Sequence, residues 1–195
     1  MRGGIVKWFF NKLPKNEDFD PVEEGYKGIN EPSNVKIFIM KILVATLVVI
    51  VVGFIIKLII GVNYKFAIWD NYMWFVILIV IIPIHELLHV ILLPERITST
   101  NIYFGYYRGS FYVDYANDIK KNRYLLVGLF PLLLLTLFPI ICISIFKSNI
   151  EILSKIALIN GMLSCGDIIS FFVILRQIPK GAYVRNKGDV TYWKC

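Results

Sequence analysis

The chain has 195 residues, of which 57% are hydrophobic and only 18% are charged, and its formal net charge is +7. Soluble globular domains have about a quarter of their residues charged, so this composition excludes an ordinary soluble enzyme. In a soluble protein the positive charge would suggest a nucleic-acid partner. In so apolar a chain we interpret it as a determinant of membrane topology and expect no nucleic-acid partner.

The first 36 residues are mixed polar and aromatic, and we interpret them as a cytoplasmic tail in which Trp8, Phe9 and Phe10 rest at the membrane interface. Four apolar blocks follow, each near the roughly 20 residues that a spanning helix needs. The blocks are residues 37–60, 72–93, 123–146 and 152–176. The predicted fold class is therefore an all-α membrane protein, a four-transmembrane-helix bundle with a small β-hairpin on the cytoplasmic side.

The positive residues are unevenly distributed between the loops. Six of the 21 lysines and arginines lie in residues 1–36, five between residues 96 and 123, and five between residues 176 and 194. The positive-inside rule then places the N-terminus, the middle loop and the C-terminus in the cytoplasm. We expect residues 37–176 to form one membrane domain in the lipid bilayer, followed by a cytoplasmic tail of residues 177–195.

Residues 97–115 contain two β-prone stretches around the turn-forming Gly105 and Gly109, which predicts a β-hairpin at the cytoplasmic interface. Two interpretations of its purpose stay open. It is an aromatic-rich loop resting on the lipid headgroups, which the sequence slightly favours, or an edge strand that holds an unwound substrate by backbone pairing. The pattern of residues 178–194 predicts a second short hairpin or a single strand.

The second apolar block carries the motif HELLH at residues 85–89, which holds both histidines of the chain. Residues four apart lie on one face of a helix, so His85 and His89 can bind one metal ion. Glu86 follows His85 and is placed to act as general base towards a water molecule. Ionisable groups are costly inside hydrocarbon and persist there mainly at functional sites. The motif therefore predicts a zinc-hydrolase centre, with Zn²⁺ as cofactor, inside the bilayer.

A catalytic zinc site has three protein ligands, so the motif requires one more. Among the carboxylates, only Glu86 and Asp167 lie well inside the apolar blocks. In the predicted topology the second and fourth blocks both run towards the cytoplasm. With a rise of about 1.5 Å per residue, the histidine pair lies about 10 Å and Asp167 about 13 Å from the cytoplasmic ends of their helices. Because these depths agree, we predict Asp167 as the third metal ligand.

Asn160, Ser164 and Asp167 form one polar stripe on the fourth block, which we expect to face the bundle interior. Asn160 is a candidate catalytic residue that hydrogen-bonds an oxyanion or the substrate backbone, or else it joins two helices, and both interpretations stay open. Ser164 is expected to serve packing. Cys165 is a conceivable soft ligand, but on an ideal helix it points away from Asp167. Gly161 is expected to allow close approach of another helix.

The motif at 85–89, the sequence NGMLSCGD at 160–167 and the basic tail with YW at 192–193 together resemble the putative zincin peptidase family. Its members are small bacterial membrane proteins that are distantly similar to site-2 intramembrane zinc proteases. The resemblance covers residues 37–193 and implies a location in the bacterial plasma membrane. It also implies a set of site residues, with zinc ligands His85, His89 and Asp167 and the general base Glu86.

Two functions are compatible with these residues. The first is a membrane-embedded zinc metalloendopeptidase that cleaves transmembrane or membrane-proximal substrates near the cytoplasmic face. The alternative is a non-proteolytic membrane protein whose zinc is structural or regulatory, acting as a scaffold or binding a partner helix. The expected partners are the bilayer and, for the peptidase, a membrane protein or peptide substrate. The oligomeric state stays open.

Overall fold

The computed structural model describes residues 7–14, 16, 18–61, 72–107 and 109–195. Its helices are α1 (Asn34–Ile60), α2 (Met73–Ile91), α3 (Lys121–Leu132), α4 (Phe138–Phe146), α5 (Ile150–Leu163) and α6 (Cys165–Gln177). Its strands are β1 (Lys7–Phe10), β2 (Lys27–Gly28), β3 (Ile102–Tyr107), β4 (Ser110–Tyr115), β5 (Ile119–Lys120), β6 (Tyr183–Lys187) and β7 (Val190–Lys194).

Three helical stretches are long and apolar enough to cross a membrane: α1, α2 and the stretch Lys121–Phe146. The last of these contains α3, a π-helical turn at Leu133–Leu137 and α4. The pair α5 and α6 is a fourth candidate span if the two bent helices count as one. The described residues also form two small sheets, so the all-α class is corrected to a helix-dominated fold with strands.

The fourth apolar block is bent rather than straight. Helices α5 and α6 meet at an angle of 48°. The break falls at Ser164, which leaves the helical region with φ −70° and ψ 2° while its backbone N–H still bonds the carbonyl of Asn160. Because Cys165 and Asp167 both follow the break and lie in α6, the expectation that they point to different sides of a helix still applies. Asp167 lies in the first turn of α6, where the helix dipole favours a negative charge.

The chain divides into two compact units, one of which comprises Ser33–His85 and Leu129–Ile169. One buried cluster joins α1, α4 and α5 through Val52, Ile56 and Leu158, and a second joins α2 to α5 through Ile77 and Ile159. Gly161 allows α5 to lie close to α1, because a Cβ at this position would lie 2.7 Å from Cγ1 of Val48. The predicted helix–helix role of Gly161 is thereby confirmed.

The other unit comprises Met1–Pro32, Glu86–Gly128 and Ser170–Cys195. It contains a three-stranded sheet of order β1-β3-β4 and a four-stranded sheet of order β2-β7-β6-β5. The antiparallel pairs β3–β4 and β6–β7 confirm both hairpins, but Gly105, predicted as a turn residue, lies inside β3 and pairs with Tyr112. The core of the unit joins the end of α2 to both sheets through Val90, Ile102, Ile119, Ile174 and Val184.

Two basic residues at the start of α3 cap other helices of this unit. The Nζ of Lys121 donates to the carbonyls of Leu175 and Ile178 at the end of α6. The guanidinium of Arg123 donates to the carbonyls of Leu92 (2.7 Å) and Leu93 just after α2. Cations are favourable at helix C-termini, where carbonyls lack intrahelical partners. Lys121 and Arg123 therefore have a structural purpose in this unit.

The segment interpreted as a tail contributes strands to this unit. β1 pairs in parallel with β3, with Trp8 opposite Phe104 and Phe10 opposite Tyr106. Since β3 lies between β1 and β4, its edge is occupied in the described part of the chain. The substrate-pairing interpretation of the hairpin therefore stays a prediction for β4 rather than for β3.

Glu95 organises the connection between α2 and the hairpin. Its carboxylate accepts hydrogen bonds from the side chains of Ser99, Asn101, Tyr115 and Asn117. These donors, above all Ser99, lower the pKa of Glu95 to about 2. The ionised carboxylate thus joins the end of α2 to β4.

We predict that Gly161→Ala lowers the free energy of unfolding by about 1–3 kcal/mol, because the added methyl group would lie too close to Val48. Gly53→Ala in α1 is the matched control, since its Cβ would meet no neighbour within 4 Å. There the helix propensity of alanine should add up to about 1 kcal/mol. Thermal unfolding of both variants in one detergent checks the contrast, and equal stabilities would contradict this close packing.

We predict that Glu95 makes the free energy of unfolding of its unit depend on pH in the acidic range. Because its pKa is lowered from 4.5 to about 2, its contribution is complete above pH 4.5 and is lost as the pH falls towards 2. We expect Glu95→Gln to unfold more easily at neutral pH and to lose less stability between these two pH values. Amide exchange of β3 and β4 against pH measures both effects, and identical pH profiles would contradict the assignment.

Candidate metal centre

Helix α2 carries the HELLH motif as one helix from Met73 to Ile91, and the boundary between the two units falls inside it, after His85. Because the helix is continuous, its own geometry fixes the spacing of the two histidines. His85 is buried, with 4% of its surface exposed, whereas Glu86 and His89 are half-buried.

His85 meets the predicted third ligand directly. Its Nε2 lies 3.2 Å from Oδ2 of Asp167, which comes from the first turn of α6. Two ligands of one tetrahedral zinc ion with bonds of about 2.0–2.1 Å lie about 3.3 Å apart. The observed separation therefore suits two ligands of a shared ion.

The other ring nitrogen of His85 contacts Asn160. Oδ1 of Asn160 lies 2.8 Å from Nδ1 of His85, while Nδ2 of Asn160 donates to the carbonyl of Pro131 and to Oγ1 of Thr136, each at 2.9 Å. A carbonyl only accepts, so the amide nitrogen must face Pro131 and the amide oxygen must face His85. Nδ1 of His85 is consequently the donor to Asn160, and Nε2 faces Asp167, with a lone pair when the ring is neutral.

His89 is held in the same sense by the backbone. Its Nδ1 lies 2.9 Å from the carbonyl oxygen of Val127 in α3. Since this carbonyl can only accept, Nδ1 of His89 is the donor and Nε2 is again the nitrogen with a lone pair. Metal-binding histidines typically donate their second ring N–H to a carbonyl or carboxylate in this way.

The predicted ligands form one group. One ligand atom from each of His85, His89 and Asp167 lies within 4.8 Å of the others. Two imidazole nitrogens and a carboxylate oxygen are the donor set of a catalytic zinc site, in which the fourth position stays open. The residues present therefore fit a zinc ion, and Cys165 is not a member of this group.

Sequence reasoning missed the residues that orient these ligands. Thr136 is the one hydroxyl in the apolar run between Pro131 and Pro139, and its Oγ1 donates to the carbonyl of Ala157 at 3.2 Å. That isolated hydroxyl was the available signal. The carbonyls of Pro131 and Val127 left no signal, because any residue has one.

Lys41 of α1 is a further residue near the site that the sequence pattern did not single out. Its side chain lies beside Gly166, where an added Cβ would be 3.6 Å from Cε and 3.9 Å from Nζ. A lysine inside an apolar span is itself a signal of function. The structure thus places a cation next to the residue that precedes Asp167.

The family model of the putative zincin peptidases matches residues 78–183, more than half of the 195 residues. The chain belongs to this family. The match contains all three members of the ligand group as well as Glu86 and Asn160, and it supports a zinc-dependent metallopeptidase as the general class. Among curated proteins and solved structures, no match to the chain is found.

We predict that His85→Ala, His89→Ala and Asp167→Ala each reduce the zinc content from about one ion per chain to near zero, because two ligands bind zinc weakly. Cys165→Ala is the matched control beside Asp167, and it should keep its zinc. Elemental analysis of the purified variants measures the effect. Full zinc occupancy in Asp167→Ala would remove the carboxylate from the site.

Proposed function

We propose that the protein is a membrane-embedded zinc metalloendopeptidase. The observation that supports this most directly is the convergence of Nε2 of His85 and Oδ2 of Asp167 at 3.2 Å, with His89 one turn further along the helix. Structural zinc sites are closed by four protein ligands, whereas a set of three leaves room for water and substrate. The donor set therefore favours hydrolysis over a purely structural site.

Each residue of the motif has a separate task in the proposed reaction. Zinc, when bound, supplies a Lewis acid that polarises the scissile carbonyl and acidifies water. Glu86 accepts a proton from the attacking water and returns it to the leaving amine nitrogen. His85, His89 and Asp167 hold the ion, while the hydrogen bonds of Asn160 and of the Val127 carbonyl keep the two imidazoles in place.

We place this chemistry in a lipid bilayer because the helices expose too much apolar surface for water. Only 11% of the most apolar window of α1 is buried inside the protein. The side chains of Phe38, Leu43, Ile50 and Leu58 in this helix are each more than half exposed. Exposed apolar surface of this extent indicates a membrane. The distribution of lysine and arginine supports cytoplasmic termini.

The proposed substrates are transmembrane or membrane-proximal segments that unwind near the cytoplasmic face. An extended chain is needed because the carbonyls of a helix are occupied by intrahelical bonds. Strand β4 is the proposed docking edge for such a segment, since β1 takes the other side of the hairpin. Backbone pairing would then select for extended conformation rather than for sequence.

We expect Glu86→Gln to bind zinc like the wild type and to lose cleavage by about 10²–10⁴-fold, because the amide cannot accept the proton. Glu23→Gln, an exposed position outside the motif, is the control for the same chemical change. Mass spectrometry of single-span membrane proteins co-expressed with each variant reports the products. Products that persist with Glu86→Gln would contradict the proposed base, and zinc binding with no product from the wild type would leave a non-proteolytic metal site.

A further inference from the structure

A fully buried polar cluster lies behind His85. Asn160 and Ser164 have no exposed surface, and Thr136 has 2%. Buried polar groups are costly unless every one is hydrogen-bonded, and a satisfied cluster holds its members in a single arrangement. The amide of Asn160 is at the centre of this one, with contacts to His85, Pro131 and Thr136.

The donor and acceptor of each hydrogen bond in the cluster are fixed by the backbone carbonyls at its edge, which can only accept. Thr136 donates its proton to the Ala157 carbonyl, so it can only accept from Asn160. The Pro131 carbonyl also only accepts, so both protons of the amide nitrogen are used. The amide cannot flip without placing its oxygen against these acceptors. Its oxygen is therefore fixed as the acceptor for His85.

Thr136, one of the two groups that hold the Asn160 amide, lies where the third apolar stretch changes from an α-helix to a π-helix. The π-helical turn Leu133–Leu137 begins two residues after Pro131, and the N–H of Phe138 bonds the carbonyl of Leu133 five residues earlier. π-helical turns are rare in proteins, and those that occur are often found at functional sites. Here the turn includes Thr136, so the wider helix carries one of the two groups that hold the amide.

We propose that Asn160 is a positioning residue for the zinc centre: it fixes the Nδ1–H tautomer of His85 and so aims Nε2 at the metal. This inference rests on the metal-binding part of the proposed function. It assigns Asn160 a role through His85 rather than contact with substrate, because the side chain is fully buried. The ring of His89 is held differently, because its partner is the backbone carbonyl of Val127. No side-chain substitution removes that group.

The test measures zinc affinity by chelator competition in the full-length protein in lipid nanodiscs. Asn160→Ala should raise the zinc Kd by about 10–100-fold, the usual cost of removing the partner of a metal-binding histidine. Asn160→Asp keeps an oxygen acceptor for Nδ1 and should recover most of the loss. Ser164→Ala is the matched control, since Ser164 is equally buried but its Oγ lies 3.5 Å from the amide nitrogen of Asn160, not from the amide oxygen that faces His85.

A wild-type Kd in folded Asn160→Ala overturns the proposal, as does an equal loss in Ser164→Ala. A second measurement needs no variant. The chain has only two histidines, so ¹⁵N-imidazole labelling of the zinc-loaded wild type gives four ring nitrogens. Both rings should carry the proton on Nδ1 and the metal on Nε2, and His85 bound through Nδ1 would overturn the proposal. Neither readout depends on proteolysis, so an inactive protein with Asn160-dependent zinc affinity would remove the peptidase function alone.

Discussion

The close approach of an imidazole nitrogen to a carboxylate oxygen is the constraint on which the site depends. Nε2 of His85 and Oδ2 of Asp167 lie 3.2 Å apart, while Nδ1 of His85 faces the amide oxygen of Asn160. A neutral imidazole with its proton on Nδ1 presents a lone pair to the carboxylate, and two lone pairs at this distance repel unless a cation lies between them. The hydrogen bonds of the Asn160 amide hold the ring in this orientation. A bound metal ion would satisfy this arrangement.

Two of the helical stretches around the site are interrupted, one by a bend at Ser164 and one by a π-helical turn. The bend at Ser164 begins a new helix, so that Asp167 lies near a helix N-terminus, where its negative charge is stabilised. The π-turn at Leu133–Leu137 brings Thr136 to the amide of Asn160. Irregular backbone inside a span is tolerated where it is buried in protein. Both interruptions contribute directly to the geometry around His85.

The three residues that meet in the candidate metal centre could be predicted from the sequence because ionisable residues are rare in the apolar blocks. With only two histidines in the chain and Asp167 as the one further deep carboxylate, few combinations were available. The four apolar blocks and the two hairpins were also predictable, since hydropathy and alternation are local signals. The all-α class was too simple because the strand β1 pairs with β3, almost a hundred residues away, and local patterns do not encode such pairing.

The role of Asn160 could not be decided from the sequence, since its alternatives differ only in what the amide contacts. The bend at Ser164 was equally hidden, because the composition of the block is that of a continuous helix. The orientation of the imidazoles depends on carbonyl groups, which every residue has. These features follow from tertiary packing, and they determine how the candidate ligands are oriented.

X-ray absorption at the zinc edge of the purified wild-type protein identifies the atoms that bind the metal. We expect one site with two imidazole nitrogens and a carboxylate oxygen at about 2.0–2.2 Å, and no sulfur. A sulfur ligand at about 2.3 Å, or a spectrum without imidazole scattering, would contradict it.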